Sequence, residues 1–297
     1  MPVERRQRTI SQPTAVEGWG YFSGRDVRVE FRPAPVGTGV TFVRRDLQPR
    51  VRIPVRPELR IDVPRRTTLS SDGVQIEMVE HVLAALAGLR IDNCEVCVNS
   101  PEMPGCDGSA WPFVEAIDAA GIVEQGAPVR RIVVDRPIRV GDKEAWIEAR
   151  PPRGKDLAIS FELDYGANTS IGRQSYSLDV TPHTFRTELA PCRTFIPHDV
   201  AQAMLAQGLG GRATTRDLLI FGPDGPIDNK LRFPDECVRH KVLDVVGDLA
   251  LTGCEVAAHV VAYRSGHQLH AELSRLLLEQ IGMASERPTL CSERRCA

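Results

Sequence analysis

The stretch Cys237–Leu249, CVRHKVLDVVGDL, carries His240, Asp244 and Asp248 four residues apart. Its apolar residues Val238, Val242, Val245, Val246 and Leu249 recur at helical spacing, which predicts an amphipathic helix facing a core. On such a helix the imidazole and the two carboxylates share one side. A His and an Asp one turn apart can ligate the same divalent cation, because their heads converge. A third ligand and a general base would complete a hydrolytic zinc site, and the pair Glu80-His81 offers both together. Taken alone, the helix is explained equally well by a buried His with a carboxylate neighbour.

The 297-residue chain suits one large domain or two of about 150 residues. Hydrophobic residues make up 42% and charged residues 26%, as in soluble globular proteins. A net charge of -2 gives no electrostatic case for nucleic-acid or anionic-membrane partners. The opening MPVERRQRTISQ has no apolar core of a secretory signal, and no run of about 18 apolar residues occurs. A cytoplasmic protein without an integral membrane segment is expected. Of eight cysteines, Cys94 and Cys97 form a C-x-x-C inside a segment that reads as a strand, where residues three apart face opposite ways. Free thiols are expected rather than disulfides or a cysteine metal cluster.

The elements that must position the chemistry follow from pattern. Val27–Phe31 and Gly39–Val43 read as strands, a helix starts from Met78 and stops near Gly88, and Ile91–Val98 is a strand. Asn99–Ser109 is a loop, and Trp111–Ala120 is a helix closed by Gly121. Glu124–Pro128 reads as a linker. Beyond it, Arg131–Val134, Ala145–Ala149, Leu157–Leu163 and Val256–Tyr263 read as strands, with helices at Val200–Gln207, Cys237–Leu251 and His267–Gln280. Each half thus runs strands, helix, strand, helix, the pattern of an α+β fold of two similar domains. The domains expected are 1–124, carrying Glu80-His81, and 125–283, carrying His240, Asp244 and His267. A disordered tail is expected over 284–297.

Several segments taken together resemble the UDP-3-O-acyl-N-acetylglucosamine deacetylases, zinc amidases that commit the precursor to lipid A. They are Phe31–Pro35, Val79–Asn93, Asp107–Ala110 with Pro112-Phe113, Arg193-Thr194-Phe195, Leu231-Arg232-Phe233, Val238–Lys241 and Ser265-Gly266-His267. The resemblance covers nearly the whole chain. It implies two domains, each a β-sheet with two helices, the helices sandwiched between the two sheets. It implies a catalytic zinc ion, or ferrous iron in the cell, on His81, His240 and Asp244, with one position left for water. Glu80 is then the general base, and His267 the cationic acid or oxyanion stabiliser, oriented and kept protonated by Asp248. Thr194 becomes a hydroxyl donor to the tetrahedral oxyanion. Lys241 and Arg264 would hold the diphosphate, Asp164 and Tyr165 the uracil, and Phe195 the sugar of a UDP-linked acylated amino sugar. A monomer is expected. His183, His198, His259 and His270 are assigned no chemistry.

The chain departs from the family at three places. Tyr21-Phe22 closes Gly18–Phe22 where Leu-His is expected, Met78 stands where a Thr is usual, and the approach to Leu209-Gly210-Gly211 within Gly208–Asp217 is shortened. These changes touch substrate identity rather than reaction type. They leave a related deacetylase of another N-acyl sugar nucleotide, or a ligand-binding relative without catalysis, as alternatives.

Overall fold

The computed structural model describes residues 5–282; the tail expected over 284–297 lies outside them. The first half contains β1 (Arg6–Ile10), β2 (Thr14–Trp19), β3 (Asp26–Pro33), β4 (Val40–Arg44), β5 (Val51–Pro54), β6 (Arg60–Ile61), β7 (Thr68–Ser71), β8 (Val74–Glu77), α1 (Glu80–Gly88), β9 (Cys94–Val98) and α2 (Trp111–Ala120). Then come β10 (Ile122–Pro128), β11 (Arg131–Val133), β12 (Ile138–Gly141), β13 (Trp146–Arg150), β14 (Ala158–Asp164), β15 (Arg173–Asp179), the short α3 (Pro182–Thr184), β16 (Phe195–Pro197), α4 (His198–Ala206), β17 (Leu219–Gly222) and β18 (Gly225–Pro226). The chain closes with α5 (Glu236–Leu249), β19 (Glu255–Ala257), β20 (His259–Tyr263) and α6 (His267–Gln280).

Two five-stranded sheets repeat one topology. The first has the order β2-β3-β9-β4-β5 and the second β12-β13-β20-β14-β15. In each, the strand added last enters the middle, antiparallel to one neighbour (β3, β13) and parallel to the other (β4, β14). That parallel pairing needs a crossover, and the crossovers contain α1 in the first half and α5 in the second. A further helix, α2 or α6, follows each central strand. The expected α+β fold of two similar halves is therefore present.

Helix α1 packs on α5, α6 packs on α5, and α5 lies against β14 and β15. The helices form the layer between the sheets, so α5 is enclosed on almost every side. Of its fourteen residues only Arg239 and Lys241 are not buried, and the amphipathic reading is corrected to a helix buried nearly all round. Its polar positions are inside because they meet one another, as buried charges must. Gly247 makes the close crossing possible: a Cβ there would lie 2.1 Å from the Glu80 carbonyl oxygen.

Three segment readings change. Glu124–Pro128 belongs to β10, which pairs antiparallel with β1; its partner lies more than a hundred residues upstream, and its polar composition masks the pairing. The strand expected over Val256–Tyr263 is two, β19 beside β11 and β20 in the second sheet. The helix expected from Met78 begins at Glu80, because Met78 adopts φ 59° as the chain turns out of β8. All six cysteines among the described residues are free thiols, as expected.

Candidate active site

The crossing of α1 over α5 sets Glu80-His81, in the first turn of α1, against the side of α5 that bears His240, Asp244 and Asp248. Single ligand atoms of His81, His240 and Asp244 all lie within 4.8 Å of one another, and all three residues are buried. Asp244 Oδ1 is 3.4 Å from His240 Nε2 and 3.8 Å from His81 Nε2. His240 Nδ1 is 3.0 Å from the Cys192 carbonyl oxygen; a carbonyl only accepts, so Nδ1 carries the proton and Nε2 presents a lone pair. Burial, then the neighbouring His240, pushes the His81 imidazole down to about 3, and burial lowers His240 as well. Both rings are neutral at physiological pH. Burial raises the Asp244 carboxyl, but Lys241 and His240 outweigh it and hold it well below the usual range.

Asp244 Oδ2 accepts from Lys241 Nζ at 2.7 Å, whereas buried Oδ1 accepts no hydrogen bond among the described residues. Two neutral imidazole nitrogens and an orphaned carboxylate oxygen thus converge with no donor between them. An unsatisfied buried carboxylate oxygen is costly. The donor set fits a divalent cation held by two His and one carboxylate, with a coordination position to spare.

Glu80 Oε2 accepts from the Thr67 backbone N–H at 3.0 Å, and Oε1 lies 4.0 Å from His267 Nε2. Burial raises the Glu80 carboxyl to about 7, against the opposing pull of His267. His267, at the start of α6, donates through Nδ1 to Asp248 Oδ2 at 2.7 Å. Burial lowers that imidazole, but the Asp248 charge and hydrogen bond, followed by Glu80, lift it to about 9. Between about 7 and about 9, Glu80 and His267 therefore face each other as a carboxylate and an imidazolium.

Thr194 is placed by a chain of contacts that begins in the α5 N-terminus. Glu236 is buried and accepts from the Arg193 guanidinium at 2.8 and 3.0 Å and from the Arg193 N–H at 3.0 Å. Arg232 donates to Asp107 at 2.7 Å, and the Thr194 N–H donates to the Gly108 carbonyl at 2.7 Å. Gly108 has φ 83°, and a Cβ there would come 2.8 Å from the Asp217 carbonyl and 3.2 Å from the Thr194 methyl. The segments Asp107–Ala110, Arg193–Phe195 and Leu231–Phe233 thus meet around the Thr194 backbone.

Glu80, His81, Thr194, His240, Asp244 and His267 line a single cavity of about 580 Å³. One wall, from β16 to β17, is apolar: Ile196, Val200, Met204, Leu209, Leu218 and Ile220. Phe195 is buried beside it, its ring 5.7 Å from Tyr165 and 6.4 Å from His240. Lys241, Arg264 and Tyr165 also line the cavity. Asp164 does not; its carboxylate accepts from the Gly166 N–H, Arg173 and the Tyr263 hydroxyl. His198 is exposed and paired with Gln202, His259 meets Ser160, and His183 is exposed on α3. The altered residues Tyr21, Phe22 and Met78 all face the cavity, with the Arg66 guanidinium 3.8 Å from the Phe22 ring.

Two participants had no assigned chemistry at the sequence level. Thr67 donates its hydroxyl to Asp248 Oδ1 at 2.5 Å and its N–H to Glu80, and His270 donates through Nδ1 to Asp248 Oδ2 at 2.7 Å. Thr67 gave no signal, since it precedes the helix pair by a strand hairpin. His270 gave one, sitting three residues after His267 and so on the same helix face.

Residues 7–279 match the family described as UDP-3-O-acyl N-acetylglycosamine deacetylase. Proteins named UDP-3-O-acyl-N-acetylglucosamine deacetylase are similar throughout. That of Myxococcus xanthus is 39% identical, covering 93% of this chain and 88% of its own. That of Thermosynechococcus vestitus is 38% identical, covering 94% and 96%, and that of Shewanella sp. (strain W3-18-1) is 38% identical, covering 92% and 90%. With a family match across nearly its whole length and the buried His81, His240, Asp244 triad beside Glu80 and His267, the chain belongs to the UDP-3-O-acyl-N-acetylglucosamine deacetylase family.

Proposed function

We propose that the protein hydrolyses the N-acetyl amide of UDP-3-O-(3-hydroxyacyl)-N-acetylglucosamine, releasing acetate and a free amine, in lipid A biosynthesis. The observation that carries this reading is the convergence of a cation-type donor set, a buried carboxylate and an imidazolium at one end of an apolar-walled cavity.

His81, His240 and Asp244 would hold the divalent ion, zinc or ferrous iron. When bound, such an ion polarises an amide carbonyl and makes a neighbouring water more acidic. Glu80, adjacent to a ligand yet outside the donor set, takes the proton of the attacking water. Its Thr67 N–H contact aims one oxygen and leaves Oε1 toward the cavity. His267, held protonated by Asp248, donates to the departing nitrogen, so the amine leaves uncharged. The Thr194 hydroxyl donates to the carbonyl oxygen as it gains charge, a contribution of about 10²–10³ in rate where such donors have been removed. Lys241 and Arg264 supply cationic charge for the diphosphate, Tyr165 a ring for the uracil, and Phe195 a face for the sugar. Asp164 would reach the base only by exchanging its present partners. The Ile196–Ile220 wall takes the 3-O-acyl chain.

We read the chain as two domains, 1–124 and 125–283, working as a cytoplasmic monomer. The test is turnover of UDP-3-O-acyl-N-acetylglucosamines of several acyl lengths by purified protein of measured metal content. Acetate release that falls sharply when the acyl chain is removed supports the reading. Equal or faster release from the unacylated sugar nucleotide overturns the substrate assignment, with Tyr21, Phe22 and Met78 as the residues to revert.

A further inference from the structure

Asp248 is among the most completely engaged carboxylates in the molecule. Oδ1 accepts the Thr67 hydroxyl, and Oδ2 accepts two imidazole N–H groups, from His267 and from His270, each at 2.7 Å. His270 lies one turn beyond His267 on α6, fully buried, its ring 6.0 Å from that of His267 and steeply tilted to it. Burial lowers its pKa despite the Asp248 contact, so the ring is neutral. A neutral ring that donates through Nδ1 must accept through Nε2, and Nε2 lies 2.9 Å from the Ser265 hydroxyl. Ser274 ties the two helices together again, donating to the Asp248 and His270 carbonyls at 3.1 and 3.0 Å. The relay therefore runs from Ser265 through His270 to Asp248, where His267 meets the same oxygen.

We propose that His270 is a positioning residue for deacetylation, acting through Asp248 to orient His267 and set its acidity. This inference rests on the function proposed above. A carboxylate with one donor on Oδ2 could turn about its Cβ–Cγ bond; the second donor, with Thr67 on the other oxygen, holds the lone pair toward His267. The same second N–H withdraws negative charge from Oδ2. Asp248 then holds the His267 proton less tightly than it would alone, which makes the imidazolium a better acid toward a leaving amine. His270 does this while staying neutral, so it adds no repulsion. The charged groups facing the pair are Asp248 and Asp244 from α5 and Glu80 from α1.

His270→Leu removes the donor, and His270→Asn keeps an N–H donor at a similar reach. Expected for the Leu variant is a roughly tenfold lower kcat with KM within about twofold, and a basic limb of the pH profile displaced upward. The direction follows from Asp248 gaining basicity and raising His267. His270→Asn should recover most of kcat and return the limb toward the wild-type position. Ser265→Ala, which releases Nε2, should shift the limb the same way by less. Melting temperature and bound metal are measured for every variant. Unchanged kcat and limb in a folded His270→Leu protein overturn the proposal, as does equal loss in the Leu and Asn variants with an unmoved limb, which marks a packing role. If His270→Leu does not fold, wild-type kcat and limb in Ser265→Ala overturn it instead. Failure of the wild-type protein to release acetate would count against the function, while active wild type with indifferent variants counts against this role alone.

Discussion

At the residue scale, two groups of ordinary chemistry are moved in opposite directions by their surroundings. Burial lifts Glu80 to about 7, and Asp248 with Glu80 lifts His267 to about 9 against the effect of burial. The proposed hydrolysis needs the first ionised and the second protonated. Activity should therefore rise as pH climbs toward 7 and fall as it passes 9. A cation on adjacent His81 stabilises the Glu80 carboxylate, so the acidic limb lies at or below 7 in the metal-loaded enzyme. The profile of kcat/KM against pH checks this, and His267→Gln should lower kcat by about 10²–10⁴ and abolish the basic limb. A limb near 9 that persists in that variant assigns it to another group. Thr194→Val, which keeps shape and removes the hydroxyl, should cost about 10²-fold or more in kcat with little change in KM; a KM effect alone would make Thr194 a ground-state contact.

At the scale of elements, function depends on how closely α1 approaches α5. The proximity of the Glu80 carbonyl to Gly247 leaves no room for a methyl group. Gly247→Ala should lower stability by about 1–3 kcal/mol, as overpacking does, and weaken metal binding by separating His81 from Asp244. Urea melts with metal titration test both. Stability and affinity equal to wild type would mean that the crossing tolerates separation. Much of this layer could be read from the chain, because Val238, Val242 and Leu249 mark a helix by local period and His240, Asp244 and Asp248 ride on it. What could not be read depends on distant partners. Thr67 and Asp248 are 181 residues apart, so no spacing rule joins them. β10 takes its order from β1 rather than from its own Glu-Gln-Gly-Ala sequence. His270 shares a helical face with His267, but a helix pattern does not say which carboxylate that face will meet.

For the whole molecule, the duplicated sheet topology matters because each half supplies what the other lacks. The first brings Glu80 and His81; the second brings His240, Asp244, Asp248 and His267. The residues could be named from the chain, but the two sheets share no repeat at the sequence level that would reveal their common order, which rests on backbone pairing. An ion held by the proposed ligands His81, His240 and Asp244 would join the halves, so its removal should loosen the entire fold. With the ion at a hundred times its Kd, binding adds about 2.7 kcal/mol, and a chelator should lower Tm by roughly 5–10 °C. An unchanged Tm in a protein shown to have lost its metal would place the ion away from this helix layer.

In the proposed reaction Glu80 moves the proton while its neighbours hold the cation. Glu80→Gln tests it most directly, with bound metal and acetate release from UDP-3-O-acyl-N-acetylglucosamine measured on the same sample. Expected is about one metal ion per chain, as in the wild type, and kcat lower by about 10²–10⁴. Unimpaired turnover in the metal-loaded variant would contradict it.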